Sequence, residues 1–396
     1  MKYLNEYRNL EATKKILDEI HKITTKPWHI MEICGGQTHS LVKNGILELL
    51  PEKVSMIHGP GCPVCVTPLN LIDKAIELLE QGVIVCSFGD MIRVPGSKKS
   101  LLEAKAIGGD LRILYSPLEA VTIAKENPTK EVVFFAVGFE TTAPANALSV
   151  LHAEKLGLKN YSILASHVLV PPAMEAILAD ELCRIDAFLG AGHVCAIMGI
   201  QQYYPLVKKY KTPIVVTGFE PLDLVQGIYM AVKQLEEGRF ELENQYSRIV
   251  KPFGNTAAIA VINKVFEVGT REWRGIGEIP NSGYVIKQAY RSYDAEAKFN
   301  ISYIKVLENA KCIAGQILRG IKKPNPVVLI KIWSPLPRST TLVSPVTMST
   351  PLSSAAVFME FTTSIKSTTF KPSSIINAKD KYFGIAPHIA TSFTVP

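Results

Sequence analysis

The stretch VVFFAVGFETTAP, residues 132–144, decides the fold. Residues 132–137 are apolar without alternation, the pattern of a parallel strand buried on both faces. A loop bearing glycine, a carboxylate and two threonines follows, and residues 145–156 then take up helical periodicity. Strand, glycine loop and amphipathic helix form the repeating unit of an α/β sheet.

The same unit recurs outward along the chain. Upstream, short apolar runs at 28–33, 54–57, 83–87 and 111–115 read as strands, and downstream those at 162–165, 187–189 and 214–217 do. Amphipathic helices at 69–80 and 117–126 lie between them. Four strand–helix units and then four more predict two tandem, three-layer, Rossmann-like parallel-sheet domains, at residues 1–125 and 126–222. Helical patterns at 221–237 and 295–318 predict an α-rich third domain at 223–325. Residues 326–396 break the pattern, with 21 Ser/Thr, eight prolines, one glycine and no cysteine. That composition reads as a disordered or weakly structured tail.

Composition removes several function classes. Of the formal charge of +7, the tail supplies most, with six Lys/Arg against two Asp/Glu. The rest is nearly balanced and lacks a basic stripe with interleaved aromatics, which argues against nucleic-acid binding. No apolar run is long enough to span a bilayer, and the charged, helical N-terminus does not read as a signal peptide. Seven cysteines, an odd number, argue against a disulfide framework and for a reducing cytoplasm. A dinucleotide GxGxxG after the first strand and a GxxxxGK[ST] loop are both missing, which disfavours NAD or ATP binding.

In open parallel sheets the carboxyl ends of the strands form the ligand edge. Here those ends carry CGGQTH (34–39), HGPGCPVC (58–65), SFGD (87–90), YSP (115–117), VGFETTAP (137–144), SHVLVPP (166–172), GAGHVC (190–195) and TGFEP (217–221). Ordinary turn chemistry explains the glycines and prolines but not the thiols and imidazoles. A cleft lined by such loops is the expected site.

Cys62 and Cys65 precede Thr67-Pro68, which reads as a helix start capped by Thr67. A thiol beside a helix N-terminus feels the positive dipole end, and its pKa falls. Two thiols at this spacing close a disulfide or share a metal; zinc would need Cys34 or His58 as further ligands. Cys34 is followed by two glycines that expose its sulfur, with Gln37, Thr38 and His39 near. It reads as a reactive thiolate or a metal ligand, against the alternative of an inert buried thiol. Glu140 places a carboxylate at another strand end, where Thr141 or Thr142 could cap the next helix. His167 and His193 share that edge as structural or functional histidines. Cys86, Cys183 and Cys195 lack such surroundings, and Cys183 reads as packing.

Together the segments CGGQTH, HGPGCPVCVTP, SFGDMIRVPGS, AVGFETTAP and VTGFEPLD resemble the signatures of the HypD family of hydrogenase maturation factors, in the family's order. The resemblance covers residues 1 to about 325. It implies a cytoplasmic iron–sulfur protein that works with the chaperone HypC and with HypE. Together these assemble the iron centre bearing cyanide and carbon monoxide of nickel–iron hydrogenase. It further implies two similar α/β domains and a third holding a 4Fe–4S cluster. Cys34 matches the cysteine thought to hold the iron being decorated, and Cys62 and Cys65 the pair that relays electrons. His39 and Glu140 fall inside matching segments and would support the site. HypE is expected to offer a cyanide precursor on its C-terminal cysteine.

One departure stands out. The family's cluster domain ends in a cysteine-rich stretch, and here only Cys312 remains of it. A four-iron cluster takes four thiolates. Loss of the match together with Ser/Thr/Pro enrichment is what an out-of-frame reading after about Asn325 would produce. The expectation is therefore a maturation scaffold with redox chemistry rather than a turnover enzyme. A stand-alone CxxC thiol oxidoreductase and a non-catalytic metal-binding docking module are the alternatives.

Overall fold

The computed structural model describes residues 6–301 together with Gln316, Ile317 and Ile321. Of the expected helix at 295–318, the described residues show a helix at Ala295–Lys298, which ends at Phe299, and helical backbone at Gln316 and Ile317; Cys312 and the tail at 326–396 lie outside the described residues.

Eleven strands are described: β1 Trp28–Glu32, β2 Val54–His58, β3 Ile84–Ser87, β4 Leu111–Ile113, β5 Val132–Gly138, β6 Tyr161–His167, β7 Ala187–Ala191, β8 Ile214–Thr217, β9 Leu242–Asn244, β10 Phe266–Trp273 and β11 Gly277–Ile286. Two sheets are wholly parallel, as expected: one in the order β2-β1-β7-β8-β9, the other β4-β3-β5-β6. All seven residues of β5 and all seven of β6 are buried. Phe134, Phe135 and Tyr161 are among the largest fully buried side chains, each worth about 1.5–3 kcal/mol of burial.

The sheets are not filled in consecutive fours. A boundary between residues 125 and 126 would separate β4 from β5, yet β3 pairs with both. After β2 the chain leaves the first sheet and lays down the whole second sheet. It then returns at β7, which pairs with β1. Continuous apolar strands carry no mark of their partner, so sequence order alone suggested the simpler tandem division. The third part also holds more than helices. Beside the helix Pro221–Glu237 it contributes β9 to the first sheet and the antiparallel hairpin β10–β11.

This winding positions the loops. In the first sheet the chain turns one way from β1 to β2 and the other way from β7 to β8. The switch point therefore lies between β1 and β7. In the second sheet it lies between β3 and β5 by the same reasoning. Such switch points open a crevice beyond the carboxyl ends of the strands. The crossing from β2 to β3, which joins the sheets, carries Cys62 and Cys65.

Candidate functional site

Both cysteine loops use a thiol as a helix cap. Cys34 follows β1 and caps the helix Gly35–Lys43, its sulfur accepting the Gly36 N–H at 3.3 Å. Cys62 caps the short helix Pro63–Val66 and accepts the Cys65 N–H at 3.3 Å. Thr67 does not cap the next helix: Pro68 holds that position, and the Thr67 hydroxyl donates back to the Pro63 carbonyl at 2.8 Å.

The loops meet through their backbones. The Gly35 N–H donates to the Gly61 carbonyl at 3.2 Å. A Cβ at Gly61 would stand 2.4 Å from the Cys34 nitrogen, so only glycine permits this approach. Glu32, 1 % exposed, ties the pair further. Its Oε2 accepts the Cys34 N–H at 2.9 Å, and its Oε1 accepts the Thr38 hydroxyl and faces His58 Nδ1 at 2.7 Å. Burial pushes the Glu32 carboxyl up, against the opposing pull of His58, Thr38 and the Cys34 amide.

Across the switch point, β7 delivers the second partner of Cys34. The ring nitrogens of His193 lie 3.7 and 3.8 Å from the Cys34 sulfur, and the ring packs on Phe219 at 5.1 Å between centroids. His39 does not join them. It is exposed, with no hydrogen bond or ion pair among the described residues. Five residues past a helix cap turn a side chain about 140° away from it. The imidazole that stands beside the Cys34 sulfur is that of His193.

The three sulfurs differ in chemical state. Cys34 is 6 % exposed rather than open, and burial pushes its thiol up to about 11. Cys62 adds a little to that rise. Cys62 is half-buried, and a hydrogen bond from the Cys65 thiol brings it down to about 7. Cys65, exposed, is raised chiefly by the same bond. All six described cysteines are free thiols. One activated thiolate beside one held proton is the arrangement of a dithiol ready to be oxidised. Cys34 is instead a soft donor that a metal must deprotonate, which suits a ligand better than a nucleophile.

Glu140 follows β5 and is 1 % exposed. Its Oε1 accepts the Val170 N–H at 2.8 Å at the start of the helix Val170–Leu178. Its Oε2 has no hydrogen-bond partner among the described residues. Burial lifts the carboxyl to about 7, a proton held near neutrality. Thr142 holds the cap position of the helix Ala143–Lys155 but makes no side-chain cap bond; its hydroxyl donates to the Phe139 carbonyl at 3.1 Å. Gln37 is fully buried and donates to Gly190 O and Thr217 Oγ1 at 3.1 and 2.7 Å, bracing the Cys34 helix on β7 and β8. His167 lies 2.6 Å from Asn146 Nδ2, packs on Phe266, and is driven down to about 3 by burial.

The described residues do not fit a resident 4Fe–4S cluster. Cys86 and Cys195 are fully buried in separate elements, Cys183 lies apart, and no group of three or more His, Cys, Asp or Glu side chains gathers to hold a metal among the described residues. Glu32 was not singled out by sequence. Its one signal is a carboxylate directly after the apolar pair Ile30 and Met31, two residues before a cysteine. His193 was noticed but could not be matched to Cys34 without the strand order.

The sequence matches a known family across residues 11–331, described as HypD, "Hydrogenase formation hypA family". It is 47% identical over 334 residues to the hydrogenase maturation factor HypD of Azotobacter vinelandii, covering 82% of this chain and 88% of that one. It is 45% identical over 337 residues to the same factor of Rhodobacter capsulatus, covering 82% and 89%. It is 42% identical over 334 residues to that of Escherichia coli K12, covering 82% and 90%. No helix among the described residues is long and apolar enough to cross a membrane.

Proposed function

The chain belongs to the HypD family of hydrogenase maturation factors, and from that premise we propose that it is the scaffold and redox partner on which the iron centre of a nickel–iron hydrogenase is assembled. Iron enters as cargo, not as a resident cofactor. The Cys34 sulfur anchors it, releasing its proton on binding, and His193 stands beside that sulfur as a second donor or a proton acceptor. Cyanide and carbon monoxide bind low-valent iron strongly, and a thiolate is a suitable anchor for it.

The dithiol supplies the electrons. A thiocyanate on a partner's cysteine, R–S–CN, needs two electrons and one proton to give R–SH and cyanide. The Cys62 thiolate and Cys65 thiol yield two electrons and one proton as their S–S bond forms, so the exchange balances. A HypE-like protein would carry the thiocyanate on its C-terminal tail, and a HypC-like chaperone would bring and remove the iron. Glu140 is a buried proton store beside the crevice. No step is routed through a 4Fe–4S cluster, because this chain lacks a four-thiolate set among its described residues.

The observation that carries this reading is the backbone contact that places the Cys34 loop against the Cys62 loop. The test is complementation of a strain lacking its own factor. Cys34→Ala and the pair Cys62→Ser with Cys65→Ser should each abolish hydrogenase activity. Full activity from Cys34→Ala would instead favour a docking module whose thiols are incidental.

A further inference from the structure

Two residues of opposite charge, Asp90 and Arg274, are carried by segments that pack against the short helix of the Cys62–Cys65 pair. Asp90 lies in the loop after β3. The next residues, Met91 and Ile92, are buried with Val64, and Cys62 packs on the same cluster. Arg274 sits in the turn joining β10 to β11. Its backbone N–H donates to the Val66 carbonyl at 2.9 Å, fixing the hairpin tip to the helix that carries Cys65. Asn70 Nδ2 donates to Glu272 at 3.0 Å and Trp273 is buried, so the strand leading into Arg274 is held as well.

Neither charge is spent elsewhere. The Asp90 carboxylate and the Arg274 guanidinium make no hydrogen bond or ion pair among the described residues. Both act on the sulfurs: Asp90 disfavours the thiolate at Cys62 and at Cys65, while Arg274 favours it at Cys65.

We propose that Asp90 and Arg274 are positioning residues that set the reduction potential of the Cys62–Cys65 pair in opposite directions. The inference rests on the reading of this pair as a redox dithiol. A group that stabilises the thiolate stabilises the reduced state and makes the disulfide more oxidising. Asp90 therefore keeps the dithiol reducing, which suits an electron donor, and Arg274 limits that bias. The hairpin that brings Arg274 belongs to the third part of the chain. Its docking thereby sets the potential of a pair carried on the crossing between the sheets.

The test is equilibration of the full chain with a series of glutathione buffers, the disulfide being read by mass after thiol trapping. The protein pair gives two electrons and a proton as its S–S bond forms, and glutathione disulfide takes them, with one proton from buffer, to yield two thiols. Asp90→Asn should shift the equilibrium about threefold to tenfold toward the dithiol, and Arg274→Gln by a similar factor toward the disulfide; tenfold corresponds to about 30 mV. Arg274→Lys should restore most of the wild-type value, and raised salt should shrink both shifts. Asp90 is exposed, and any residue at 274 keeps the backbone bond to Val66, so both variants should fold. Shifts of the same sign, or none, would overturn the proposal. A wild-type chain that forms no Cys62–Cys65 disulfide at any ratio would overturn the redox reading beneath it.

Discussion

Replacing Gly61 by alanine tests the contact on which the site is built. An added Cβ would lie 2.4 Å from the Cys34 nitrogen, 2.5 Å from its Cα and 2.5 Å from the Ile33 carbonyl carbon. All three are backbone atoms, so no side chain can swing aside. Comfortable separation is about 3.5–4.0 Å, and the two loops must part by about 1 Å to reach it. Overpacking of this kind costs about 1–3 kcal/mol. At about 2–4 °C per kcal/mol for a large domain, Tm should fall by roughly 2–12 °C. Gly35→Ala is the matched control. Its Cβ would find nothing nearer than the Gly61 carbonyl oxygen at 3.9 Å, and alanine favours the helix it begins. Differential scanning calorimetry of the two variants reads the difference, and complementation reads the function. Gly61→Ala should lose maturation activity beyond its loss of stability, because it separates Cys62 from Cys34. Equal Tm values for Gly61→Ala, Gly35→Ala and wild type would refute the reasoning.

Three further outcomes follow from the same geometry. Alkylation of Cys62 should rise with pH and reach half its limit near 7, while Cys34, pushed up to about 11, should react roughly three to four orders of magnitude more slowly at neutral pH; mass-resolved iodoacetamide kinetics measure both. Glu140 is lifted from 4.5 to about 7, so the folded state binds the extra proton and stability should fall by about 3 kcal/mol as pH rises through that window; Glu140→Gln should flatten the slope in denaturant titrations across it. Arg248 forms a two-point ion pair with the fully buried Asp223 at 2.7 and 2.6 Å and lies over the rings of Tyr7 and Tyr246. Arg248→Ala strands that carboxylate and should cost roughly 3–5 kcal/mol in chemical denaturation.

Much of the fold was legible because buried parallel strands are written as unbroken apolar runs. The run at 214–217 coincides with β8 to the residue, and Val132–Gly138 extends its expected run by one. What such runs do not encode is partnership. Ile30 faces Ala187 across the sheet, a pairing more than 150 residues apart in sequence that nothing local specifies. The hairpin was lost for another reason: β10 mixes exposed and buried positions, so its period is blurred. Within the site, the thiols and glycines at strand ends were readable as chemistry. His193 and Glu32 were not, because their roles come from β7 lying beside β1 and from a carboxylate turned inward toward two loops. His39 lies on another face of its helix from Cys34, since proximity in sequence is not proximity on a helix.

The most direct measurement is X-ray absorption at the iron edge on chain loaded anaerobically with ferrous iron. The account predicts sulfur scattering from the iron in wild type and in the double variant Cys62→Ser/Cys65→Ser, and its loss in Cys34→Ala. Sulfur ligation that survives Cys34→Ala would contradict it.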